Sequence, residues 1–84
     1  SLGASTRRHI YDDGHRVFAV LMYKDGEPAD FRACYTGRTC PPKPWHAVRV
    51  ERDPTGAVTQ NLFFDKYRAL VGTIDCKKKR CFGQ

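Results

Sequence analysis

Helix signals are nearly absent from this sequence: no capping box leads into apolar residues at a 3.6-residue spacing anywhere in its 84 positions. No apolar run approaches the length of a membrane span, and no charged n-region precedes an apolar h-region. No membrane-spanning helix is therefore expected. A secreted protein of this sequence is read as a mature chain, with the Ser1-Leu-Gly-Ala-Ser5 start left by trimming. There is no Asn-x-Ser/Thr sequon, no phosphate-cradling glycine loop and no cluster of metal ligands. Acidic residues are the scarcer charge, nine against fifteen Lys and Arg, for a formal charge of +6. The three histidines, His9, His15 and His46, stand in no recognisable catalytic motif. Asp12, Asp13, Asp25, Asp53 and Asp65 fall in turns, where backbone hydrogen bonding explains them first. On these grounds no catalytic residue, cofactor or metal site is expected.

A chain this short makes one domain with a modest core and gains from covalent help. Four cysteines, Cys34, Cys40, Cys76 and Cys81, supply it. Zinc sites usually pair cysteines with about two to four residues between them, and the Cys34–Cys40 interval is wider, so two disulfides in an oxidising setting are expected instead. Three pairings are open. Closure within 34–40 and within 76–81 is sterically possible. Long-range bridges constrain the unfolded chain more, by about 1 kcal/mol each, which favours links from the 34–40 loop to the C-terminal end. The positive charge gathers in Arg7-Arg8-His9 and Lys77-Lys-Lys-Arg80, runs that attract polyanions or acidic protein surfaces. A bridge between Cys76 and Cys81 would hold the second run in a constrained loop.

The apolar residues alternate as strands do. Arg16 to Lys24 is the longest apolar run, rich in β-branched and aromatic residues, and Tyr23-Lys-Asp-Gly26 supplies hairpin-turn chemistry. Ala29, Phe31, Ala33 and Tyr35 then alternate with Asp30, Arg32 and Cys34 as a returning strand. The proline-rich 37–44 segment is a stiff loop. Trp45–Arg52, the stretch from Val58 to Phe64, and Tyr67–Ile74 read as further strands, separated by the Asp53-Pro-Thr-Gly56 turn and by Asp65-Lys66; Lys79 to Phe82 is a short sixth. His9 to Tyr11 is a brief strand or strap in a loosely held segment 1–14, and residues 15–84 form the domain. Such spacing indicates an all-β sandwich or small barrel.

Two resemblances bear on function. Val48-Arg-Val-Glu-Arg52, Asp53-Pro-Thr-Gly56, Phe64-Asp-Lys-Tyr67 and Cys76 resemble the last strands of small secreted guanyl-type ribonucleases. Lys66 stands where that family's catalytic histidine would be, no glutamate lies between Phe18 and Met22, and the segment before residue 16 is too short for its packed helix. That likeness implies at most an inactive RNA-binding scaffold. Bases would need exposed rings among cations, and Tyr11, Tyr23, Tyr35, Trp45 and Tyr67 are more simply explained as core or rim.

The apolar first strand, the Met22-Tyr-Lys-Asp-Gly26 turn, the Ala33-Cys-Tyr-Thr36 strand end, Trp45-His-Ala-Val-Arg-Val and the lysine-rich end are similar to the MAX effectors (Magnaporthe Avrs and ToxB-like) of plant-pathogenic fungi. The family's usual cysteine near the first strand has no counterpart in residues 1 to 33. The resemblance implies a six-stranded sandwich of two three-stranded antiparallel sheets. It also implies secretion, entry into host cells, and a monomer that binds host proteins without catalysis, heavy-metal-associated (HMA) domains and immune receptors among them. Independently, a cross-linked β-domain with unpaired edges and exposed charge suits binding by strand addition. Interface enrichment of Trp and Arg points to Arg32, Trp45, Arg49 and Arg52, on the expected second and third strands, as contacts.

Overall fold

The computed structural model describes residues 5–32 and 37–84. Its elements are β1 (Ser5–Tyr11), β2 (Val17–Lys24), β3 (Glu27–Pro28), β4 (Ala47–Arg52), β5 (Val58–Phe64) and β6 (Leu70–Asp75), and no helix occurs among the described residues. All pairings are antiparallel, in the order β1-β2-β4-β5-β6, with β3 beside β2. All-β architecture with six strands agrees with the sequence reading. A division into two three-stranded sheets does not emerge, because the pairing runs in one continuous path.

Three hairpin turns share one design. Asp12, Asp53 and Asp65 each accept, on Oδ1, the amides two and four residues ahead: Gly14 and Arg16, Thr55 and Ala57, Tyr67 and Ala69. Each aspartate amide also donates to the carbonyl four residues on, which closes a three-residue loop. The last loop residue is left-handed in all three: His15 at φ 59°, Gly56 at 91° and Arg68 at 71°. The Asp25-Gly26 turn is the two-residue kind, with positive φ at both positions. Turn aspartates are thus structural here, as their sequence context suggested.

The strand expected to return after that turn is only two residues long. On the edge of β2 away from β1, β4 pairs with Ala19, Val20 and Leu21, and the Met22 amide donates to the His46 carbonyl. Only Tyr23 and Lys24 remain for β3. Phe31 and Trp45 then exchange backbone hydrogen bonds as an isolated bridge. The rest of the expected strand, residues 33 to 36, lies outside the described residues. Two further corrections are local. Residues 65–69 are turn, so the strand expected from Tyr67 starts at Leu70, and Lys79 to Phe82 forms no strand. At the other end, residues 5–11 pair with β2 along their whole length, so the boundary expected at residue 15 falls inside a hairpin.

One face of the sheet carries the core. Register puts Val20, Val48, Phe63 and Gly72 in one row and Val50, Asn61 and Ile74 in the next. Irregular chain covers these rows: Trp45, Pro41, Cys76, Cys81 and Phe82 are all buried. The rings of Trp45, Phe63 and Phe82 meet edge-on, with centroids 5.2 to 6.1 Å apart. Each such ring contributes about 1.5–3 kcal/mol through burial. Asn61 is buried and satisfied, because its Oδ1 accepts the Phe82 amide at 2.8 Å and its Nδ2 donates to the Phe82 carbonyl at 3.2 Å. Gly72 leaves the space that Pro41 fills, since a Cβ there would lie 2.5 Å from the proline Cβ.

Cys76 and Cys81 are bridged, with Cα atoms 5.7 Å apart. The bridge favoured by loop entropy, from this end to the 34–40 loop, therefore does not form from either cysteine. Both cysteines are buried beside each other at the end of β6, so contact distance overrides the entropy of the unfolded chain. Cys40 is also disulfide-bonded, and Cys34 lies outside the described residues.

Candidate functional site

Strand addition needs an edge, and register decides which strands own one. β4 is paired on both sides, to β2 and to β5, so the Trp45–Arg52 stretch cannot receive a partner strand. The path ends at β1 and β6, whose outer edges carry no strand among the described residues. β6 is six residues long and closed at its C-terminal end by the disulfide loop. β1 is seven residues long, contains no proline, and is exposed everywhere except at half-buried Ile10.

Register also sorts the β1 side chains. Arg7 and His9 stand opposite Met22 and Val20 on the core-side face, while Thr6, Arg8 and Ile10 stand opposite Tyr23, Leu21 and Ala19 on the outer face. On the core-side face an open groove of about 690 Å³ runs between β1 and the C-terminal segment, lined in part by Arg7, His9, Val17, Val20, Phe82 and Gln84. An added strand would find backbone groups along the edge, cations on both faces and an apolar floor on one side.

The cations also discriminate between partners. Antiparallel pairing of two β1 strands about Arg8 would set Arg8 against its own copy with both Arg7 side chains close by, and like charges opposite each other are destabilising. An acidic strand meets no such penalty. Edge cations of this kind guard a sheet against indiscriminate self-pairing.

The expected contact residues scatter. Trp45 is 1% exposed and belongs to the core, so it is not a surface contact. Arg52 is a brace: its guanidinium donates to the carbonyls of Gly56, Val17 and Gly83. Arg49 remains at the surface on β4, ion-paired to Glu51 at 3.0 Å and 5.9 Å from the Phe64 ring centre. Arg32 is exposed and donates to the Pro42 carbonyl. These four residues do not form one surface.

In the sequence Arg7, Arg8 and His9 stand out only as a charge run in a loosely held segment, whereas the fold makes them part of a full edge strand. The available signal was the uninterrupted Ser5–Tyr11 stretch, free of glycine and proline. The histidines occupy three different settings: His9 on β1, His15 in a left-handed turn, and His46 beside Tyr23 with Nδ1 3.2 Å from the Ala29 carbonyl. The packed helix of the ribonuclease-like alternative is not found among the described residues. Comparison with protein-family models, curated proteins and solved structures finds no match to the chain.

Proposed function

We propose that the protein is a small, disulfide-stabilised binding module that accepts an acidic extended segment of another protein along β1 and catalyses no reaction. The observation that carries this reading is β1 itself. It is fully paired to β2 on one edge, bears Arg7, Arg8 and His9, and is the longer of the two strands ending the sheet. Backbone hydrogen bonds along the edge supply affinity, and the cations supply selectivity and a faster encounter with acidic partners. With the MAX-effector resemblance, the proposal extends to a secreted fungal virulence or avirulence protein whose partner is a host protein, with HMA domains and immune receptors as the partner classes.

A charge swap tests the docking step. Two strand-forming peptides alternating Val with Glu, or Val with Lys, are titrated into the protein and into the R7E/R8E variant. The wild type is expected to prefer the acidic peptide by at least about tenfold at low salt, and the variant to reverse that preference. Equal binding of both peptides, or a preference unmoved by R7E/R8E, rules out β1. Binding of RNA at the same salt with no peptide binding would favour the ribonuclease-like alternative.

A further inference from the structure

The second basic run has a more defined setting than the first. Lys77, Lys78, Lys79 and Arg80 are all exposed in a loop closed by the Cys76–Cys81 bridge, whose Cα atoms are 5.7 Å apart. The base of the loop is tied on several sides. Lys77 N–H donates to Asp75 Oδ1, Cys81 N–H to Gln84 Oε1, and Gln84 Nε2 to the Cys76 carbonyl. Thr39 N–H donates to the Arg80 carbonyl at 3.1 Å. Arg38 lies alongside, with its Nε donating to the Cys81 carbonyl and its guanidinium carbon 5.3 Å from the Phe82 ring centre. The ion pairs Arg16–Asp12 and Arg49–Glu51 lie elsewhere and involve no cation of this loop.

We infer that the disulfide-closed loop Lys77–Arg80, with Arg38 beside it, is a binding site for a compact polyphosphate group such as an inositol phosphate. A solvated charge run needs no closure, whereas here a covalent bridge and a set of backbone ties keep four like charges together. Because the bridge holds the two ends of the loop 5.7 Å apart, the four cations are confined to a short arc of backbone, the span of a small ring carrying several phosphates and not of an extended polymer. Linear nucleic acid favours cations tracking a groove beside rings available for stacking. Near this loop Phe82 is buried, and exposed Tyr67 lies in the turn before β6, at the opposite end of that strand. Arg80 offers the planar forked donor that phosphate accepts in pairs, and Arg38 adds positive charge beside it. The loop lies on a different element from β1, although Arg38 beside it also lines the β1 groove. The loop lysines, which do not line that groove, separate the two readings.

The same chemistry has two sources, a soluble inositol phosphate or the headgroup of a phosphoinositide lipid. Two probes separate them: inositol hexakisphosphate titrated calorimetrically, and flotation with phosphatidylcholine vesicles with and without phosphatidylinositol bisphosphate. Binding to the soluble probe alone assigns the free compound, and added recruitment to doped vesicles assigns the lipid; binding to neither overturns the inference. K77Q/K79Q is expected to weaken binding at least about tenfold, whereas K24Q/K66Q, which removes the same charge elsewhere, changes it by less than about twofold. Equal losses would reduce the effect to net charge and overturn the site. Reduction with dithiothreitol is expected to weaken binding while the far-ultraviolet β-sheet signal persists; unchanged affinity after verified reduction would contradict the organising role of the bridge. If reduction unfolds the chain, the two lysine variants decide alone. Tighter binding of heparin or duplex RNA than of inositol hexakisphosphate, at matched salt, would overturn the compact-ligand assignment.

Discussion

In the half of the sheet formed by β4, β5 and β6, every strand turns side chains into the core: Val48 and Val50, Asn61 and Phe63, Ile74. At the other end, β1 is held by backbone pairing to β2 and turns no buried side chain into the core; its one half-buried residue, Ile10, lies on the outer face. The covered half owes its stability to rings and a buried amide. β1, outside that cover, relies on hydrogen bonds to β2 worth about 0.5–1.5 kcal/mol each, net. A strand tolerates polar, charged residues when nothing packs on it, which leaves β1 available for a partner.

The contrast breaks most sharply at Phe82. Phe82→Ala should cost about 3–5 kcal/mol, read as a shifted denaturation midpoint, while Tyr11→Ala on the 56%-exposed β1 residue should cost less than about 0.5 kcal/mol. Similar losses at both sites would remove the distinction. Asn61→Leu should cost about 1–3 kcal/mol, because the amide and carbonyl of Phe82 lose their partner in a buried setting. Gly72→Ala should cost a comparable amount through collision with Pro41, and Gly26→Ala, where no atom lies within 4 Å, tests the cost of positive φ without that collision.

The turns sharpen the comparison from the other direction. His15 and Arg68 occupy the left-handed position that Gly56 fills in the matching turn. Arg68→Gly and His15→Gly should each stabilise the fold by up to about 1 kcal/mol, a rare sign for surface changes. Destabilisation by both would disprove the shared design. The smallest effect concerns acid. The Thr55 hydroxyl, ahead of the turn amides, holds the Asp53 carboxyl below its ordinary 3.8, and the Arg16 amide, ahead of its other contacts, does so for Asp12. Because folding lowers both values, their contribution is complete above the ordinary carboxylate pKa and fades as pH falls through the folded one. Asp53→Asn and Asp12→Asn should each flatten the acid limb of the stability–pH curve.

What the sequence disclosed was local. The strand from Val58 to Phe64, the Asp25-Gly26 turn and the aspartate turns depend on neighbours within a few positions, and each is found in the fold. The strand, however, buries Asn61 and Phe63 and not the Leu62 and Phe64 face that its apolar alternation marks. Competition was not legible: nothing near Phe31 announces that β4 takes most of the β2 edge. Phe82 follows a lysine run and shows no period, yet it seals the core. Trp45 and Arg52 resembled interface residues because large, amphipathic side chains serve cores and braces equally well. β1 was hard to read because its side chains pack on almost nothing, so no apolar period marks it.

Backbone amide exchange along β1 tests the central claim most directly. The fold predicts alternation within Ser5–Tyr11, with amides donating to β2 protected and outward amides exchanging quickly, and the Val-Glu peptide should slow the outward set. Uniformly fast exchange would mean that β1 is not a strand, and uniformly slow exchange without peptide would mean that its outer edge is already occupied.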